Sequence, residues 1–302
     1  EIIKSSIKTS KVGIMKFFKG DIRDSICIEE IFKYSKSIGH SIDVVFHLAG
    51  LKSVKESNLF PKEYIDVNVT GTEVLIKSMS SNGCRNIIFS SSATVYGNKH
   101  SKIIQESSKI KPTNVYGITK ASAEKILHTK YRNDEDWRVI NLRYFNPIGA
   151  HKSHLIGEES RNNHENLFPL ICKVANEEKK ILEIYGQDWN TRDGTCIRDF
   201  IHILDIARGH LSALNYLIKN KSHCLSINLG TEKGTTVLEL IRTFEEITNK
   251  KINYVFRGRR LGDVASYVAS NNMAKRYFNW IPIYSLNEMC LDGWESYLKS
   301  KY

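Results

Sequence analysis

No segment of this 302-residue sequence reaches the roughly 18 consecutive apolar residues that a membrane-spanning helix needs. Its first residues, EIIKSSIKTSKVGIMKFF, carry neither the long apolar core nor the small-residue cleavage site of a secretory signal. Lysines are plentiful but scattered, and no long Lys/Arg block marks a nucleic-acid-binding arm. The six cysteines, Cys27, Cys84, Cys172, Cys196, Cys224 and Cys290, include no Cys-x-x-Cys pair, so their spacing outlines neither a zinc site nor a disulfide framework. Reduced thiols in a cytoplasmic protein are the expectation. His151, His154 and His164 lie close together in a polar stretch. No acidic or thiol partner stands at ligand spacing, so they are read as loop surface and no metal is expected.

At 41% hydrophobic and 25% charged residues, the composition is that of an ordinary globular protein. The length suits one large domain or two smaller ones. A formal charge of +11, from 44 basic and 33 acidic residues, fits a solvated lysine-rich surface or an anionic small-molecule ligand. Neither nucleic acid nor a membrane is expected as a partner.

Three apolar runs, IDVVFHLA (42–49), RNIIFSSS (85–92) and WRVINLRY (137–144), are nearly continuous rather than alternating, as in strands covered on both faces of a parallel sheet. Helical periodicity lies between them, around 61–81 and 117–132. Strand, helix, strand at this spacing predicts βαβ units and a doubly wound α/β sheet through residues 1–145. After Tyr144 the sequence becomes polar and turn-rich, which predicts a smaller lobe over 146–302. Within it, FPLICKVANEEKK and IHILDIARGHLSALNYLIKN read as helices, and HCLSINLG as a strand returning to the first sheet from about 195–230.

Doubly wound sheets bind ligands at the carboxyl ends of their strands. Three candidate stretches follow predicted strands directly: LAGLK (48–52), SSSATVYG (90–97) and RYFNP (143–147). Twenty-odd residues past the serine cluster come Tyr116 and Lys120, four apart and so on one face of a helix. An ammonium near a phenol favours the phenolate. Bringing a tyrosine from near 10 to about 7 takes roughly 4 kcal/mol of differential stabilisation. The product is a general base at neutral pH, with Ser92 placed to hold the same substrate oxygen.

These residues, with GDIRD, HLAGLKSVKES, NVTGT, VYGITK, LRYFNPIGAH, DGTCIRDFIH, SINLG and GRRLGDVASY, run in order through nearly the whole chain. In them the sequence resembles the UDP-glucose 4-epimerase family of extended short-chain dehydrogenase/reductases. The resemblance implies a Rossmann-type sheet, NAD as cofactor, UDP-glucose and UDP-galactose as substrates, and a homodimer. It implies Ser92, Tyr116 and Lys120 as catalytic, with a positive nicotinamide ring helping Lys120 to activate the phenol. It places the cofactor along Asp21, Ile22, Leu48, Ala49, Gly50, Leu51, Lys52, Asn68, Tyr116, Lys120 and Phe145. It gives the UDP-sugar to Ser92, Asn146, Asn166, Leu167, Glu183, Ile184, Tyr185, Arg198, Arg260 and Asp263, with Tyr267 bordering the sugar. A large residue at the Tyr267 position goes, in this family, with plain hexoses rather than N-acetylated ones.

One family feature is missing. No Gly-x-x-Gly-x-x-Gly turn occurs, and GTEKG (230–234) and GRRLG (258–262) have the wrong spacing and position for it. The expectation is a chain that lacks the family's first βαβ unit and by itself binds NAD weakly. Two alternatives stay open: another nucleotide-sugar epimerase or dehydratase, and a nucleotide-sugar- or dinucleotide-binding regulator without turnover.

Overall fold

A computed structural model describes residues 15–98, 103–158, 166–260 and 262–301. Four parallel strands form the first sheet, in the order β1 (Val45–His47), β2 (Asn86–Ser92), β3 (Arg138–Tyr144), β8 (His223–Leu229). Alternation along β2 shows why its apolar run is unbroken. Ile87 and Phe89 face one way, into a cluster with Ile28, Phe32, Leu75, Met79 and Leu127. Ile88 faces the other way, packing with Ile140, Leu142, Ile227, Ala213 and Leu217. Helices Ser25–Ser37, Gly71–Ser81 and Val115–Asn133 cover the first face, and helices Ile203–Lys219 and Asn272–Phe278 cover the second. The fold is therefore α/β with a doubly wound, Rossmann-type parallel sheet.

The first strand is shorter than its apolar run. The ladder begins at Val45, paired with Ile87. Just before it, the Asp43 carbonyl accepts from the side chain, not the ladder, of the neighbouring strand: from Asn86 at 2.7 Å. The helical stretch 61–81 also departs from a uniform helix. It runs as Pro61–Ile65, a π-helical turn at Asp66–Thr70, then Gly71–Ser81. The wide turn holds Asn68, and such turns occur frequently at functional sites.

A third hydrophobic cluster lies apart, built from Phe168, Ile171, Leu182, Ile184, Phe200, Leu240, Phe244, Met289 and Trp294. It packs helices Leu167–Ala175, Val237–Thr248 and Leu286–Lys299 around small strand pairs. β4 (Asn146–Ile148) pairs with β7 (Phe200–His202), and β5 (Leu182–Tyr185) with β10 (Tyr254–Arg257). β6 (Ile197–Arg198) lies between β9 (Thr235–Thr236) and β11 (Ser266–Tyr267).

Buried Asp199 joins these parts. Its carboxylate accepts from the Thr231 and Ala269 backbone N–H groups at 2.7 and 3.0 Å, and its carbonyl accepts from Asn146 N–H at 3.0 Å. Burial raises its carboxyl to about 6, against the pull of those donors. Gly97 turns the chain away from the serine cluster with φ of 72°, and a Cβ there would stand 1.9 Å from the Lys111 carbonyl oxygen, so only glycine fits.

Candidate active site

The helix that carries Tyr116 starts where the sequence tells it to. Asn114 caps it by accepting from Gly117 N–H at 2.8 Å, a contact that contributes about 1 kcal/mol in typical helices. Tyr116 is thus in the first turn, with its own N–H donated to Ser57 Oγ at 3.1 Å. Lys120 and Glu124 follow on the same face, one and two turns on. Lys120 is buried, and its ammonium donates to the Ser90 carbonyl at 2.8 Å over the Phe89 ring. Ser92 ends β2 and caps the next turn by accepting from Thr94 N–H.

Here the electrostatics depart from the sequence expectation. Burial raises the Tyr116 phenol above its usual value, and the Ser92 hydroxyl is the group that draws it down. Lys120 directs its ammonium elsewhere. Its ammonium points at Ser90, 5.8 Å from the centre of the Tyr116 ring. Burial lowers Lys120 itself to about 8, with Glu124 opposing. At pH 7 the site without ligand therefore holds a neutral phenol beside a charged lysine.

At the end of β1, the Asn68 side chain grips the 48–52 segment. Its Oδ1 accepts from Leu51 N–H at 2.8 Å, and its Nδ2 donates to the Leu51 carbonyl and to Thr119 Oγ1, both at 3.0 Å. A Cβ on Gly50 would come within 2.9 Å of Asn68 Oδ1 and 3.7 Å of Lys120 Nζ, so bare backbone is required between them. Buried His47 bonds Thr72 Oγ1 through Nε2 at 2.9 Å, while its Nδ1 has no partner among the described residues. Leu48 and Ala49 are exposed. Exposed Lys52 meets Glu158 at 3.2 Å. Asp21 lies further off, paired with Arg23 at 2.7 Å, and Ile22 packs against Gly71.

Beyond the sheet, Phe145 packs against Tyr267 with ring centres 5.6 Å apart and planes tilted by 39°, and the Tyr267 hydroxyl donates to the Ala93 carbonyl at 2.5 Å. Tyr267 and Arg198 are cross-strand partners of β11 and β6. Arg198 meets Asp263 at 3.2 Å, and the Arg260 guanidinium lies 3.7 Å over the Tyr185 ring. Glu183 holds Arg257 at 3.0 Å and accepts from the Tyr185 hydroxyl. Ile184 turns its side chain into the core. Asn166, just before Leu167 at its helix start, donates to Glu158 at 3.0 Å. Asn146 sits in β4. Sequence reasoning missed Glu158, which bridges Lys52 and Asn166. It also missed Glu124 and Asp199, although the spacing of Glu124 four residues past Lys120 was a usable signal. No metal-binding cluster occurs among the described residues. His151 and His154 occupy a turn, and His164 lies outside the described residues.

A parallel sheet wound on both faces thus brings serine, tyrosine and lysine together near its strand ends. Residues 3–230 match the NAD dependent epimerase/dehydratase family, and the chain belongs to that family. It is 44% identical to UDP-glucose 4-epimerase of Cyamopsis tetragonoloba over 96% of this chain and 81% of the relative. It is 41% identical to UDP-glucose 4-epimerase of Dictyostelium discoideum, over 93% of this chain and 80% of that one. Among solved structures, UDP-glucose 4-epimerase from Bifidobacterium longum, in complex with NAD+ and UDP, superposes with a TM-score of 0.87 at 38% identity, covering 96% of this chain and 84% of its own.

Proposed function

We propose that the chain is an isomerase of galactose metabolism that interconverts UDP-glucose and UDP-galactose at C4 through a transient 4-keto sugar, using NAD. The observation that carries the reading is the meeting of Ser92, Tyr116 and Lys120 at the end of β2. The residues present fit the cofactor. Gly50 leaves room for close approach beside Asn68 and Lys120, and the His47 Nδ1 lone pair awaits a donor. Leu48–Lys52, Asn68 and Phe145 would line it, with Asp21 and Ile22 near its far end. NAD, when bound, would supply a reversible acceptor for the hydride of the sugar C4.

The protein's own part is to hold, orient and move a proton. The Tyr116 oxygen takes the proton of the sugar 4-hydroxyl, and Ser92 holds that oxygen in place. The Lys120 ammonium adds positive charge beside them. Because the ligand-free phenol is neutral, the remaining activation belongs to the loaded site. Arg198 and Arg260 grip the UDP diphosphate, a dianion matched to guanidinium forks. Asn146, Asn166, Leu167, Glu183, Ile184, Tyr185 and Asp263 border the nucleotide, Ile184 through its backbone. The unpaired cysteines suit a cytoplasmic setting, and no described helix is long and apolar enough to cross a membrane. The resemblance supports a homodimer, which light scattering would test. The function itself is tested by giving UDP-galactose and NAD to the chain completed with the family's first βαβ unit, and separating products. UDP-glucose is expected; a different sugar nucleotide, or binding without conversion, overturns the reading.

Tyr267 sets which sugars fit. Its ring is held between Phe145 and the Ala93 carbonyl, so an acetamido group facing it must displace a packed side chain. Overpacking typically costs about 1–3 kcal/mol, or roughly 5- to 150-fold in kcat/KM. UDP-N-acetylglucosamine is therefore expected to be a poor substrate, improved in Tyr267→Cys. Comparable wild-type values for both sugar classes, or no gain from the cysteine, would remove Tyr267 as the gate.

A further inference from the structure

Beneath the proposed catalytic residues lies a buried chain of charge that the reaction does not use directly. Glu124 accepts from Ser91 Oγ at 2.5 Å, and from Arg143 Nε and Nη2 at 2.9 and 2.6 Å. All three side chains are buried. Arg143 continues to the Tyr96 hydroxyl at 2.8 Å, which donates to Asn228 Oδ1 at 2.6 Å. Asn228 Nδ2 donates to the Ile104 carbonyl, and Ile104 N–H to the Val268 carbonyl, next to Tyr267. One carboxylate thus ties the Tyr116 helix to β2, to β3 and, through Tyr96, to β8.

The placement along the sequence matters as much. On β2, Ser90 receives Lys120 through its carbonyl, Ser91 donates to Glu124, and Ser92 lies beside Tyr116. Three successive residues of the strand therefore meet three successive turns of the helix. We propose that Glu124 is a positioning residue for the reaction: bonded to Ser91 and Arg143, it fixes the register of the Tyr116 helix on β2 and places its carboxylate one helical turn from the buried Lys120. This rests on the reading of Tyr116 and Lys120 as the catalytic pair.

Electrostatics support the geometry. The titratable groups around Lys120 are Tyr116 and Glu124 on its own helix and His47 on β1, with Arg143 on β3 beyond Glu124. His47 is held neutral at pH 7, its value lowered to about 3 by burial and by Lys120. Tyr116 is neutral too. Glu124 is thus the group that opposes the loss of the Lys120 proton.

The test reads the ammonium directly. In Glu124→Gln, the Lys120 side-chain nitrogen is titrated by NMR and UDP affinity is measured by calorimetry. The apparent proton affinity of Lys120 is expected to fall about tenfold, which is one pKa unit, while UDP binding stays within about twofold of wild type. If Glu124→Gln does not fold, Glu124→Gln/Arg143→Met removes both buried charges and is expected to show a smaller fall, because loss of the more distant cation offsets part of the loss of the anion. An unshifted Lys120 in a folded variant, or loss of UDP binding together with the shift, overturns the proposal. Tyr116→Phe in the same series keeps the two readings apart. If it retains turnover, the catalytic assignment fails, whereas an unshifted Lys120 beside an inactive Tyr116→Phe overturns the role of Glu124 alone.

Discussion

Tyr116→Phe is expected to lower kcat by about 10³-fold while leaving UDP affinity nearly unchanged, since a positioned general base contributes on the order of 10²–10⁴. The substitution removes one oxygen and keeps the ring, so packing against neighbouring side chains survives. The lost group acts chiefly in the transition state, and the loss should fall on kcat and kcat/KM together. Ser92→Ala should cost less, because water can replace part of one hydrogen bond. The pH dependence has a definite sign. The Tyr116 phenol is raised by burial, so the ligand-free enzyme gains its phenolate as pH rises. Lys120 loses its charge near pH 8, which sets an upper limit on the useful range. Steady-state kinetics on the NAD-loaded enzyme, completed with the family's first βαβ unit, are the measurement. A Tyr116→Phe enzyme with a tenth of the wild-type rate would refute the base assignment.

Arg143→Met is expected to destabilise the fold by about 3–5 kcal/mol, because it leaves the Glu124 carboxylate buried without its partner. The Arg143–Glu124 contact is bidentate, and the two side chains are only 6% and 10% exposed, so solvent cannot stand in. Tyr96 also loses a donor in a site where burial already pushes its phenol up to about 12. The double variant Glu124→Gln/Arg143→Met should be more stable than Arg143→Met alone, since neither charge is then stranded. Urea unfolding of both variants gives the comparison. Equal or smaller losses for Arg143→Met than for the double variant would mean that the pair is not the buried bond it looks.

The first sheet was legible because strands covered on both faces must be apolar throughout, and NIIF and RVINL have no polar alternation to read otherwise. HCLSINLG alternates instead, with Ser226 and Asn228 between Leu225, Ile227 and Leu229, and its strand β8 is the last of the sheet. The π-helical turn was not. The residues DVNVT carry no mark of a wider turn, which shows only in the backbone bond from Gly71 N–H to the Asp66 carbonyl. Of the site, Tyr116 and Lys120 could be placed on one face by spacing alone. The direction of the phenol's shift could not, because desolvation depends on what other segments bring. The Lys120 ammonium turns to Ser90, a contact between residues 30 apart in sequence. Glu158 escaped notice because its partners lie on segments far apart in the chain.

The return of β8 to the edge of β3 has a consequence for how the protein is made. β3 ends at Tyr144, and its second ladder waits until Leu229 has been synthesised. The helix Ile203–Lys219, which covers the second face, also arrives late. Throughout that interval a nascent chain presents an unpaired, apolar strand edge of the kind that templates aggregation. Cutting the gene after residue 145 would make that interval permanent. A chain cut there is therefore expected to aggregate more than the whole chain, which light scattering of the two would check.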